Sequence, residues 1–262
     1  MNIGLIDVDG HNFPNLALMK ISAWHKAKGD TVEWCLPMGH YDIVYQSKVF
    51  DETYSLDIDW VPMADKVIKG GTGYGLDNKL PDEIEHIFPD YSIYPELTKD
   101  TAYGFLTRGC PRGCSFCIVA GKEGRRSHKV ADLSEFWNGQ KYIELLDPNL
   151  LACKDRLELL DQLAESRAMV NFNQGLDIRF TNEEIAEKLN NIRVKRLHFA
   201  WDNPDDDLVP YFERFTAAYK RKSSGGEVCI HPHQLQQLYG AESAPYIHRQ
   251  RPRLRSVCDG IR

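Results

Sequence analysis

Three cysteines share one short run, Arg108-Gly-Cys-Pro-Arg-Gly-Cys-Ser-Phe-Cys117, with the spacing C-x3-C-x2-C. No other feature constrains the chain as much. A loop that gathers three thiolates has to be held open around a metal centre by whatever folds on either side of it. Cys110, Cys114 and Cys117 can hold three irons of a cubane 4Fe–4S cluster, whose usual complement is four cysteines. The fourth iron is then an open coordination position, where a substrate or cofactor can bind.

Other metal chemistries fit the spacing less well. Structural zinc takes four ligands, commonly as two closely spaced Cys or His pairs. His128 lies near enough in sequence to serve as a fourth ligand, but no second histidine or cysteine accompanies it. Ferredoxin-type loops have a different spacing and a fourth cysteine. Cys35, Cys153, Cys229 and Cys258 are scattered, the total of seven is odd, and no secretory signal opens the chain, so a disulfide framework is not expected. Free thiols and a reducible cluster both point to the cytoplasm. No apolar run is long enough to span a bilayer.

Charge divides the chain. Residues 219–262 hold eight Lys/Arg against three Asp/Glu, and the remainder holds 24 against 35. An acidic body has no electrostatic footprint for nucleic acid.

Apolar runs alternate with helical periods in two blocks. In residues 1–75, strands are expected at Asn2–Asp7, at about Thr31 to Cys35, at about Tyr41 to Tyr45 and at Ala64 to Ile68. A helix starting near Pro14 and ending at Lys28-Gly29 follows the first strand. Gly70-Gly-Thr-Gly-Tyr-Gly75 reads as a turn. The block is predicted to be a small Rossmann-like open sheet. Residues 76–102, rich in proline and acids, read as a linker with one short helix after Leu80 and an extended remainder.

From 103 to 222 the period resumes. Ala102–Thr107 is a strand leading into the cysteine loop, and further strands are expected at Lys141–Leu146, Ala168–Asn173 and Arg196–Ala200. Helices are expected at Leu133–Trp137, Lys154–Ser166, from a Thr181–Glu184 capping box to Leu189, and at Leu208–Tyr219. Strands joined by helical crossovers make a parallel sheet, with ligands at the strands' carboxyl ends. Residues 223–262 read as an irregular basic tail with a Ser223–Gly226 linker and one strand, Glu227 to Ile230. The expectation is an α/β chain whose tail is foreign to the fold, from truncation or a frame shift. His231 and His233 in that tail read as disordered.

Thr107-Arg-Gly-Cys-Pro-Arg-Gly-Cys-Ser-Phe-Cys-Ile-Val119 resembles the Cx3CxΦC cluster loop of radical S-adenosylmethionine enzymes, with Phe116 as the aromatic. The resemblance implies that Cys110, Cys114 and Cys117 ligate the cluster. S-adenosylmethionine would chelate the fourth iron through its amine and carboxylate, and the backbone near Phe116 would face the adenine. One electron then cleaves the sulfonium to a 5′-deoxyadenosyl radical, so an electron donor such as flavodoxin or ferredoxin is an implied partner. The implied fold is a partial (β/α) barrel, here incomplete at its C-terminal end. Residues 1–75 resemble the cobalamin-binding-like domain that precedes many such cores. Asp9-Gly-His-Asn-Phe-Pro14 matches the Asp and His of a cobalamin-ligating motif but has Pro14 in place of its glycine, so His11 reads first as a loop histidine, with metal ligation as the alternative.

The expected strand ends are polar. Many family members carry Gly-Gly-Glu after the second strand to bind the amino group of S-adenosylmethionine. Asp147-Pro-Asn149 stands there in this chain, and Asp147 is either that carboxylate or a turn cap. Gln174, Asp177 and Arg179 are cofactor or substrate contacts, with an internal Asp–Arg pair as the alternative. Asp202 is a contact or a helix cap. Lys122-Glu-Gly-Arg-Arg126 could order the cluster loop, meet an anionic substrate or be a solvated turn. The function expected is reductive cleavage of S-adenosylmethionine acting on an unknown substrate, with methyl or methylthio transfer as a possible subclass. The alternatives are a non-catalytic iron–sulfur remnant and a zinc-binding interaction module.

Overall fold

The computed structural model describes residues 1–10, 12–194, 196–203, 205–220 and 227–231. His11, the Ser223–Gly226 linker and residues 232–262 with His233 lie outside the described residues. The chain divides into two compact units. Met1–Gly104 with Ser134–Gln140 forms the first, and Phe105–Leu133 with Lys141–Arg262 the second.

In the first unit, β1 (Asn2–Asp7) leads to α1 (Leu16–Ala27), followed by β2 (Thr31–Trp34), β3 (His40–Ser47) and β4 (Met63–Gly70). The strands are parallel in the order β2-β1-β3-β4. This is the flavodoxin-like arrangement, in which strand order reverses beside β1 and the chain leaves a crevice there at the carboxyl ends. Asn15 caps α1, its side-chain oxygen accepting from Leu18 N at 3.2 Å. The helix lays Leu18 and Ile21 onto Ile3 and Leu5 of the central strand.

Among the described residues, no helix packs on the opposite sheet face. Residues 35–39 take the chain from β2 to β3 in far fewer residues than a helical crossover needs, and the loop before β4 brings Ile58 and Trp60 onto Ile6, Tyr41 and Val44. The Gly70–Gly75 stretch is a turn that folds back on the exit of β3, where Gly73 N donates to Lys48 O at 2.9 Å.

The expected linker is more ordered than its proline content suggests. It contains α2 (Asp82–Glu85), a 3₁₀ turn at Tyr91–Ile93 and α3 (Pro95–Thr98) before β5 (Thr101–Gly104). Pro81 and Pro95 open these helices, where a missing N–H costs nothing. The extended arm expected after the first helix is therefore not what forms. Thr98 Oγ1 instead donates to the Tyr91 and Tyr94 carbonyls at 2.8 Å and folds the segment on itself.

The second unit begins with β6 (Thr107–Arg108), α4 (Val119–Lys122) and β7 (His128–Lys129), in which β6 and β7 pair antiparallel. Then come β8 (Tyr142–Leu145), α5 (Arg156–Ser166), β9 (Met169–Phe172), α6 (Glu183–Asn191) and β10 (Arg193–Val194), with β8, β9 and β10 parallel. The next elements are β11 (Arg196–Ala200), α7 (Val209–Ala218) and β12 (Glu227–His231). β11 and β12 pair in parallel, and a parallel bridge from Leu176 to Phe199 ties β11 to the exit of β9.

This is a partial (β/α) barrel. Its wall is sealed by Ile143, Val170, Leu197 and Phe199 beneath Leu159, Leu163, Ile185, Phe212 and Phe215, all nearly or fully buried. The helix expected at Leu133–Trp137 is a single 3₁₀ turn, Leu133–Glu135. The cap of α6 is Asn182, which accepts from Ile185 N at 2.8 Å, and not Thr181, whose hydroxyl donates to the Ile178 carbonyl. The strand anticipated in the basic tail forms as β12 and pairs with β11.

Candidate metal centre

The three cysteines sit in a loop whose two ends are stitched together by the β6–β7 ladder, with Thr107 opposite Lys129 and Arg108 opposite His128. Cys110, Cys114 and Cys117 are free thiols, as are Cys35 and Cys153. Cys110 and Cys114 are half-buried and Cys117 is exposed. Cys117 N donates to Cys114 O at 3.0 Å, a tight turn that carries Phe116 outward, where it is 53% exposed. Burial pushes the Cys114 thiol up, with the neighbouring Arg112 guanidinium opposing it and the Asp202 carboxylate reinforcing it.

Two carboxylates hold this loop in place. Asp147, just beyond β8, is buried and accepts from Leu106 N at 3.1 Å, Thr107 N at 2.5 Å and Thr107 Oγ1 at 2.6 Å. Burial raises its pKa to about 6, against the pull of these three donors. The carboxylate is thus committed to the entry of the cysteine loop and not left open for a cofactor amine. Glu123 accepts from Arg108 Nη1 at 2.7 Å and Gly109 N at 3.0 Å. Glu123 lies in the Lys122–Arg126 run, for which ordering the cysteine loop was one of the expected roles; the sequence did not single out this acid within it. Gly109 has φ +83°, and a Cβ there would lie 2.2 Å from the Arg126 carbonyl oxygen, so only glycine lets the returning strand come this close.

Asn149 is the second residue that sequence reasoning missed. It is 3% exposed, and its Nδ2 lies 3.5 Å from Cys110 Sγ and 3.4 Å from Asp177 Oδ2. Its Oδ1 is buried with no hydrogen-bond partner. Buried polar atoms are rarely left unmatched, and one that is calls for an account.

The other expected contacts separate into two groups. Asp177 and Arg179 bind each other, Nε to Oδ1 at 2.7 Å, and Arg179 Nη1 also reaches Asp206 Oδ2 at 2.7 Å. Arg112 joins the same cluster, with Nη2 3.2 Å from Asp206 Oδ2. The internal Asp–Arg pair is what forms. Gln174 is exposed on the loop after β9, and Asp202 is half-buried after β11, so both lie at carboxyl ends of the parallel strands. Arg126, Ser127, His128, Lys129, Lys154 and Asp155 line a cleft of about 460 Å³ on this unit. His128 is exposed there, and its Nδ1 donates to the Arg126 carbonyl.

Among the described residues no three Cys, His, Asp or Glu side chains converge where a single metal ion could sit. A cubane is gripped at separate irons, one thiolate to each, and does not require that convergence. Among the described residues no helix is long and apolar enough to cross a membrane.

Among solved structures the chain is similar to the radical S-adenosylmethionine methyltransferase TsrM from Kitasatospora setae with cobalamin and a 4Fe-4S cluster bound. The TM-score is 0.58 and the identity 10%, over 87% of this chain and 66% of that one. This chain has the fold of a radical S-adenosylmethionine enzyme. It is also similar to TsrM bound to tryptophan and the analogue aza-SAM, with a TM-score of 0.56 and 12% identity over 91% of this chain and 66% of that one. The chain spans just under two thirds of the length of these solved proteins. No family model matches it, and no curated protein does.

Proposed function

We propose that this chain is a radical S-adenosylmethionine enzyme that holds a 4Fe–4S cluster on Cys110, Cys114 and Cys117 and binds S-adenosylmethionine at the fourth iron. The observation that carries this reading is the cysteine loop itself. It holds three free thiols, is closed at its base by the β6–β7 ladder, and is clamped by Asp147 and Glu123 on a barrel of matching fold. When bound, the cluster supplies one electron to the sulfonium, and the resulting 5′-deoxyadenosyl radical takes hydrogen from a substrate.

The protein's own part is positional. Asp147 and Glu123 fix where the loop begins and how it returns. Asn149 Oδ1, the buried acceptor without a partner, is suited to take an N–H from the methionine ammonium, the role the resemblance had assigned to Asp147. By the resemblance, the backbone beside Phe116 would face the adenine, and Gln174 and Asp202, at strand carboxyl ends, would contact the bound ligand. The electron comes from a carrier such as flavodoxin or ferredoxin, in a cytoplasmic setting. Cobalamin at the carboxyl edge of β1 and β3 is supported by likeness to TsrM alone. Asp9 accepts from Val49 N and Phe50 N, which ties it to the chain leaving β3. We assign cleavage to this chain and leave methyl transfer to the named relative.

Anaerobic reconstitution with iron and sulfide, followed by dithionite and S-adenosylmethionine, tests the reading. The expected result is 5′-deoxyadenosine, lost when Cys114 becomes alanine. A reducible cluster that leaves S-adenosylmethionine intact would favour the non-catalytic remnant, and zinc without sulfide would refute the cluster itself.

A further inference from the structure

The amide of Asn149 can face the cysteine loop in only one orientation. Asp177 Oδ2 lies 3.4 Å from Nδ2, and a carboxylate can accept from the NH2 group but not from the amide oxygen. Asp177 is itself fixed by Arg179, through Nε at 2.7 Å and the backbone N at 3.2 Å. The backbone of Asn149 is held as well, its carbonyl accepting from Ser127 Oγ at 2.9 Å and from Ala152 N at 3.3 Å. The NH2 group has two hydrogens. One serves Asp177, and the other is left for Cys110 Sγ at 3.5 Å. Flipping the amide would give the orphaned Oδ1 no partner and would set it against Asp177, so the structure keeps the donor on the sulfur.

We propose that Asn149 is a positioning residue for the cluster, its N–H aimed by Asp177 onto Cys110 Sγ so that it raises the reduction potential of the cluster held there. The inference rests on reading the three cysteines as cluster ligands. A thiolate bound to a cluster carries more negative charge after reduction than before, and a donor aimed at it stabilises the reduced form more. Hydrogen bonds to the ligand sulfurs are one of the ways a protein sets cluster potential, and partners one step removed from a metal govern both ligand orientation and affinity. The negative charge of Asp177 is offset by Arg179 at 2.7 Å and by Arg112 at 3.9 Å, so the relay delivers a donor without an uncompensated anion.

The test is a redox titration of the reconstituted protein, without S-adenosylmethionine, followed by the electron paramagnetic resonance of the reduced cluster. Asn149→Leu keeps the bulk and removes the donor, and Asn149→Ala is a second donor-free variant. The expected result is about tenfold less reduced cluster at a fixed poise, equivalent to about 59 mV for one electron, with iron and sulfide per chain unchanged. Reduced wild-type clusters should also show an exchangeable proton coupled to the spin that both variants lack. A folded donor-free variant that titrates with the wild type, or keeps that coupling, overturns the proposal while the cluster reading stands. A wild type that assembles no cluster overturns the cluster reading and this inference with it.

Discussion

Thr107→Val replaces a hydroxyl by a methyl on a side chain of the same shape, so its cost isolates one hydrogen bond. Thr107 is fully buried, and its Oγ1 donates at 2.6 Å to a carboxylate that is also buried. Bonds to charged partners contribute about 1.5–3 kcal/mol. Above the pKa of Asp147 the substitution should cost about that much. The magnitude depends on pH. Asp147 titrates at about 6 in the fold against 3.8 for the free group. The native state therefore binds this proton more tightly than the unfolded chain does. At about 1.36 kcal/mol per unit, the wild type should lose up to about 3 kcal/mol of stability as pH climbs from 4 to 6, and then level off.

Removing the hydroxyl takes away a bond that favours the ionised form. The native pKa should rise further, by about half a unit to one and a half units, so that the decline continues past pH 6. Below pH 4 only a neutral hydrogen bond is lost, and the two proteins should differ by about 1 kcal/mol. Urea unfolding of the cluster-free chain, followed by far-ultraviolet circular dichroism from pH 4 to 8.5, measures both curves. A pH-independent difference, or one below about 0.5 kcal/mol at pH 8, refutes the assignment of Asp147 as the clamp of the loop.

Asp147→Asn removes the titrating group, and the fall in stability between pH 4 and 6 should flatten in the same assay. Glu123→Ala releases both Gly109 N and Arg108, so iron retained after gel filtration should drop at least several-fold while the circular dichroism spectrum holds. Gly109→Ala forces a side chain into a left-handed backbone against the Arg126 carbonyl, and should cost about 1–3 kcal/mol and lower cluster occupancy. Asn182→Ala removes the cap of α6 and should cost about 1 kcal/mol, with the visible spectrum of the cluster unchanged.

Much of the fold was legible in local pattern. β1, α1, β11 and α7 appear where apolar periodicity puts them, because each buries a face that its own sequence announces. The cysteine loop was legible as a candidate ligand loop for the same reason, since all three thiols lie within eight consecutive residues. The supports of that loop were not legible. Asp147 reaches back 40 residues to Thr107 and Asn149 reaches back 39 to Cys110, and no periodicity encodes contacts of that span. Residue type left Asp147 open between a cofactor carboxylate and a turn cap; in the fold it accepts from Leu106 and Thr107, and the neutral amide at 149 is the group with an open oxygen. Pro81 was legible as a helix start, but the stretch after that short helix was read as extended, and there Pro95 opens a second helix.

β12 runs alongside β11 for five residues, Glu227 to His231, against Arg196 to Ala200. A chain cut just before Glu227 would strip that strand away and leave unpaired the backbone N–H and C=O groups of β11 that face it. Such an unprotected border recruits other strands. A shortened protein would then clump through its own sheet, and its insolubility would be mistaken for a failure of the metal loop.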